Sequence, residues 1–381
     1  MTPRLRTSLG LLALWILAMS PARALFNLND GKDLVFVTGT YSVGFDSNVF
    51  TRNSGKQSFT QSASVSVDYT RQAGLLAVSA SVGFSAGTFT QLVGQNFADP
   101  SVSLSFRKRY GRTTGSLSFS GRRESQPDPD AQQRTRGVNY NAALSLRYPV
   151  NDRYYFTGGA GYNAKLYLNK SQFADIGSFS AATAVNYVYT SKLDLNAGYS
   201  INVSNTNKDL QAFDQALNIG ASGSILPKLS GSISLGIDRR DSQTKVTGGK
   251  LSEHFYGFSA GTSLKWLYSK RVSFSASLDD GFSTTSTDLS VDRLSAGLHA
   301  TLSLSSKYIV GTGLSWTHSV FLGKAGAGRV DDLFQFDASI GFALTTHVRT
   351  SFSYMYQVNY SNLSGASFER QTFSLTLSAT Y

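Results

Sequence analysis

The chain has 381 residues, a formal charge of +11, 41% hydrophobic residues and no cysteine. Without cysteine, disulfide staples and thiolate metal sites are excluded, so backbone pairing and burial must hold the fold. The basic balance would suggest nucleic acid in a cytoplasmic chain, but the export signal described next turns it towards anionic lipopolysaccharide or an anionic solute, and no nucleic acid is expected as partner.

Arg4 and Arg6 precede the apolar run Leu9 to Met19, and Ala22-Arg23-Ala24 places small residues where a signal peptidase reads them. Residues 1–24 therefore read as a secretory signal peptide, with 25–33 a short periplasmic segment and 34–381 one barrel domain. Loss of Arg4, Arg6 and Arg23 leaves the mature chain near +8. The run is well short of the ~20 apolar residues of a spanning helix, and no later run approaches that length, so the chain can cross a membrane only as a closed sheet.

From Leu34 onward the pattern has the two-residue period of strands. Lipid-facing sets are Val35, Val37, Tyr41, Val43 and Phe45; Ala63, Val65, Val67 and Tyr69; Leu76, Val78, Ala80, Val82 and Phe84; and, further on, sets such as Leu193 to Ile201, Leu294 to Leu304 and Phe334 to Phe342. About 18 such runs (16–18), each roughly 9–13 residues, have the length of tilted transmembrane strands. Connections alternate between short turns (Arg71 to Gly74, Pro149 to Arg153, Thr190 to Lys192, Leu226 to Lys228, Ser269-Lys270, Ser305 to Lys307, Thr345 to His347) and longer polar loops (47–57, 122–136, 240–254, 281–291, 319–332). The expected fold is all-β: a transmembrane antiparallel up-and-down β-barrel of the outer-membrane type, with tight periplasmic turns and larger extracellular loops. Tyr69, Tyr148, Tyr154, Tyr189, Trp266, Tyr268, Tyr308 and Tyr381 fall at periplasmic strand ends, where amphipathic rings suit the headgroup layer.

In the final strand Phe373, Leu375, Leu377, Ala379 and Tyr381 share one face and hydroxyl residues the other. This strand resembles the closing strand of bacterial outer-membrane barrels. The resemblance implies an outer membrane of a Gram-negative bacterium, its lipids as surroundings, and the barrel assembly machinery as a partner reading Phe373, Leu375, Leu377 and Tyr381.

The inward face is a series of serines, such as Ser62, Ser64 and Ser66 or Ser273, Ser275 and Ser277, with Gly and Thr between. Charges gather towards strand ends. Arg107, Arg122, Arg147, Lys165, Lys265, Arg271, Arg293 and Arg349 slightly outnumber Asp68, Asp99, Asp194, Asp238, Asp279 and Asp337. A barrel of this size encloses an aqueous channel unless something fills it, no globular plug precedes the first strand, and mild anion preference is expected.

Outer-membrane barrels include hydrolases, yet the four histidines, His254, His299, His318 and His347, form no Ser/His/Asp or metal-ligand spacing, so no catalytic, cofactor or metal site is expected. Tyr41-Ser-Val-Gly-Phe-Asp-Ser-Asn-Val-Phe50 resembles the signature of the putative β-barrel porin type 2 family, some members of which are encoded with exopolysaccharide biosynthesis operons. That resemblance implies an outer-membrane location and polysaccharide traffic, with export components as partners. It assigns no role to Asp46 or Asn48, whose own chemistry suits an Asx turn leaving the membrane.

Two readings compete. The leading one is a passive or weakly selective porin-like channel, extended by the resemblance to exopolysaccharide export. The other is a structural or adhesion barrel whose basic loop ends, Arg122, Arg123, Arg134, Arg136, Arg239 and Arg240, bind a surface partner. Whether a loop folds inward to block the lumen discriminates between them, and an outer-membrane enzyme is a remote third.

Overall fold

The computed structural model describes residues 26–29, 32–72, 74–246, 249–323 and 328–381. The signal-peptide reading of residues 1–24 lies outside them.

Eighteen strands form the wall. In chain order they are β2 (Asp33–Asp46), β3 (Ser58–Arg71), β4 (Leu76–Phe89), β5 (Phe97–Lys108), β6 (Thr114–Asp128), β7 (Gln133–Pro149), β8 (Tyr154–Tyr167), β9 (Ile176–Thr190) and β10 (Leu193–Thr206). There follow β11 (Leu210–Leu226), β12 (Leu229–Val246), β13 (Gly249–Trp266), β14 (Val272–Thr284), β15 (Ser290–Ser303), β16 (Tyr308–Phe321), β17 (Val330–Ala343), β18 (Val348–Ser361) and β19 (Phe368–Thr380). Each pairs antiparallel with its sequence neighbours, and β19 pairs with β2 through Phe373 and Phe45 to close the barrel. The expected short N-terminal segment carries one more strand, β1 (Phe26–Leu28), paired with Val35–Asp33 at the start of β2.

Alternation fixes which side chains meet lipid. Val82, Phe84, Leu217, Ile219, Leu235, Leu314 and Leu375 are exposed on the outer face, the arrangement of a barrel solvated by hydrocarbon. Inside, hydroxyls pair across strands: Thr40 with Ser64 at 2.6 Å, Ser116 with Ser145 at 2.8 Å, Ser178 with Ser204 at 2.9 Å and Ser353 with Ser374 at 2.7 Å. These pairs satisfy one another and leave a small, neutral lining.

The short turns fall where the sequence places them, and four of them share one device, a side-chain oxygen accepting from backbone N–H groups two or three residues on. Asn151 Oδ1 accepts from Arg153 and Tyr154, Ser269 Oγ from Arg271 and Val272, Ser305 Oγ from Lys307 and Tyr308, and Thr345 Oγ1 from His347 and Val348.

The end expected to be extracellular differs from the expected open loops. Most of 122–136 and of 240–254 is ladder, because β6 and β7 and then β12 and β13 continue pairing past the wall. Completely buried apolar side chains, among them Val49, Ala174, Val291 and Ala366, sit at this end. The molecule's dry core is thus where loops meet, not along the barrel axis.

Candidate functional site

β6 pairs with β5 only as far as Arg122, and β7 pairs with β8 only from Gly137. Residues 123–135 therefore pair along the ladder only with their hairpin partners, and this hairpin leaves the wall. Its root is clamped by arginines. The Arg134 guanidinium lies 4.8 Å over the Phe89 ring and donates to Ser125 Oγ, while Arg136 donates to the carbonyls of Gly94 and Asn96. Arg123 meets Asp99 at 3.7 Å, and Glu124 is held by Arg122 at 3.0 Å and Lys165 at 3.3 Å.

The tip docks across the lumen. Arg293 of β15 donates to Asp130 Oδ2 at 2.8 Å, Arg329 donates to the Asp130 carbonyl at 2.9 Å, and Ser286 donates to Asp128 Oδ2 at 2.7 Å. β6 and β15 stand nine strands apart in a ring of eighteen, so these contacts reach the opposite wall. Arg329 is itself buried, 4.2 Å over the Phe321 ring and forked onto Asp331. The receiving loop 285–289 is fixed in turn by Thr206 Oγ1 donating to Asp288 and by the Ala174 N–H donating to the Ser286 carbonyl. At the docked tip, which lies off the spanning wall, burial pushes the Asp128 carboxyl above its usual range; nearby Asp130 adds to this, and the Ser286 hydrogen bond opposes it.

Under the tip lies a cavity of about 660 Å³, lined by Lys165, Tyr167, Asn202, Arg293, Ser319 and Asp331 among others. It presents donors and acceptors of both charges to whatever passes the hairpin, a lining suited to hydrated polar solutes.

The charged residues expected to line the pore divide into four groups. Asp68, Arg107, Lys265, Asp279, Asp337 and Arg349 occupy luminal strand positions; Ser66 donates to Asp68. Arg147 and Asp194 meet through Tyr155: the guanidinium lies 3.8 Å over the ring and the phenol donates to Asp194 at 2.6 Å. Arg293 is the anchor of the hairpin. Arg271, read as inward, stands in the turn between β13 and β14, where the chain has left the alternating pattern.

Sequence reasoning missed Asp128, Asp130, Ser286 and Arg329. Pro127-Asp128-Pro129-Asp130 was the available signal, a stiff acidic tip inside a basic hairpin. The basic residues assigned to surface adhesion are instead mostly consumed internally: Arg240 is fully buried and holds Asp214 at 2.6 Å, and Arg134 and Arg136 fasten the hairpin. Among the described residues no group of three or more His, Asp or Glu is placed to hold a metal. His254 and His318 contact Asp241 and Asp332, and His347 stacks on Tyr381 at 5.4 Å.

The Tyr41–Phe50 motif acquires a physical role. Asp46 Oδ1 accepts from the Asn48 N–H, which is the Asx turn expected there, and Asn48 Nδ2 donates to the carbonyls of Arg52 and Glu369. Asp46 also receives a forked pair from Arg370 on β19, at 3.0 and 2.8 Å. The motif thus fastens the first strand to the last.

Residues 199–381 match the family model described as Putative beta-barrel porin 2, the family that the first strand resembles. Solved structures of similar fold include Pseudomonas aeruginosa OccK1 (OpdK), at 9% identity and TM-score 0.49, covering 91% of this chain and 99% of that one. Acinetobacter baumannii OccAB4 aligns at 10% identity and TM-score 0.46, covering 91% and 98%. No curated protein matches the sequence.

Proposed function

We propose that the protein is a pore in the outer membrane of a Gram-negative bacterium, a passive or weakly selective channel for small polar solutes whose width is set by the β6–β7 hairpin. The observation that carries this reading is a closed eighteen-strand wall with a hydroxyl-rich lumen, crossed at one level by a hairpin anchored on both sides. Such a wall conducts water and ions unless sealed, and a clamped hairpin narrows it without a separate plug domain. Outer-membrane lipids, lipopolysaccharide included, and the barrel assembly machinery are the partners that follow from this location.

The exopolysaccharide export implied by the first-strand resemblance belongs to this reading on one condition: a polymer must thread beside the docked hairpin or displace it. Purified protein in planar bilayers should give stable ohmic channels. A folded preparation that inserts and carries no current overturns the proposal.

A further inference from the structure

The ladder between β13 and β14 is short. β12 and β13 pair along their full length, from Leu229 with Trp266 to Val246 with Gly249, but β13 meets β14 only from Trp266 with Phe274 to Ala260 with Asp280. A spanning strand of about 10 residues counted from Trp266 ends near Tyr256. The seam therefore loses its hydrogen bonds before the outer leaflet does, although lipid-exposed backbone normally has to be paired.

Packing replaces the ladder there. Arg240 of β12 donates to the Ser283 carbonyl at 2.6 Å and lies 5.4 Å over the Phe282 ring, and that ring comes up against Gly257. A ring and one cation are a removable closure, whereas a strand ladder is not.

The two sides of this closure differ in chemistry. Outside, Tyr256 and Phe258 are 74% and 80% exposed, and with Tyr199, Leu217 and Ile237 they line a cavity of about 520 Å³. Asp238 lines both that cavity and a luminal one of about 660 Å³ that also contains Asp214, Asp279 and Asp280. Asp238 is 9% exposed and its buried Oδ1 has no hydrogen-bond partner. The neighbouring charges acting on it are Asp292, Asp280 and Asp214, all acidic, and Asp214 already holds Arg240. A buried carboxylate oxygen without a donor is costly, and here it faces a mostly apolar vestibule whose one cation, Arg239, is already paired with Asp241 at 2.8 Å.

We propose that the β13–β14 seam is a lateral portal between the outer leaflet and the lumen for amphiphiles with a cationic, hydrogen-bond-donating head, the head meeting Asp238 and the hydrocarbon tail lying against Tyr256 and Phe258. This portal is independent of conduction along the axis.

The test uses the full barrel in lipid vesicles, with Trp266→Phe and Trp316→Phe removing background and Phe282→Trp reporting at the seam. Bromine-tailed dodecylammonium should quench the reporter, and bromine-tailed dodecyl sulfate should not. Asp238→Asn should weaken the quenching about tenfold, the loss of one charge-assisted hydrogen bond. A Ser259→Cys, Gly281→Cys disulfide placed where the ladder would continue should abolish quenching, with reductant restoring it; Gly281 has open space for a side chain. Equal quenching by both amphiphiles, or quenching indifferent to the disulfide, overturns the proposal. So does protection of the reporter from dodecylammonium by millimolar calcium alone, which marks an inorganic cation site instead.

Discussion

Excising residues 125–134 and closing the hairpin with a two-residue turn should widen the pore by an amount the geometry specifies. Eighteen strands about 4.8 Å apart and tilted about 40° close at a backbone radius of about 18 Å. Side chains of about 5 Å on each wall leave a bore of roughly 26 Å. Arg123 to Asp128 reaches about 20 Å when extended, and the long Arg293 and Arg329 side chains cover the remainder. A two-stranded hairpin is about 10 Å across with its side chains, so it takes roughly 40% of the bore at its level. The open cross-section at that level should therefore rise by about two thirds on excision; because only one level of the bore is relieved, single-channel conductance at high salt should rise by less than that, and neutral polymers of larger radius should begin to enter. The assay is single-channel recording with polymers of graded size, on protein whose heat-modifiability confirms a folded barrel. An unchanged conductance and size limit would refute the claim that the hairpin sets the width.

Four further outcomes follow from the same contacts. Asp46→Ala strands the nearly buried Arg370 and loosens the closing seam, so unfolding in urea should show a loss of about 3 kcal/mol, while Glu369→Gln on the same strand should cost little. Deleting Tyr381, whose backbone exchanges hydrogen bonds with Val37 and whose ring stacks on His347, should reduce folded barrel in the outer membrane without reducing synthesis or export, as read by heat-modifiability of membrane fractions. Because the docked Asp128 carboxyl is raised, docking binds protons: above the raised value the charged form opposes docking, and as pH falls towards the ordinary carboxylate range that opposition is lost. Conductance should thus fall as pH is lowered from above the raised value towards the ordinary carboxylate range, and Asp128→Asn should flatten the response. Neutralising Arg107, Arg147, Arg271 and Arg349 together should shift the reversal potential towards cations at low salt and little at high salt, since screening over ~8 Å confines their reach; no low-salt response would contradict the luminal placement of Arg107, Arg147 and Arg349.

The sequence by itself determined the wall. A period of two decides the face of each residue, so Val82, Leu235 and Leu375 had to meet lipid once Ser81, Ser234 and Ser374 met water, and the turn oxygens of Asn151, Ser269 and Thr345 act within three residues of themselves. Local chemistry of this range is legible without coordinates. The interior of the pore was not, because nothing local distinguishes a loop that stays in solvent from one that folds inward: Arg122 to Arg136 reads as polar loop in either case. Asp130 and Arg293 are 163 residues apart in the chain, and only closure of the ring brings them face to face. The same holds for Arg240, whose charge suggested a surface and whose burial depends on β13 parting from β14 above Ala260. Pairing of neighbours is written in alternation, whereas contacts across the lumen depend on the barrel's circumference, which exists only when the last strand meets the first.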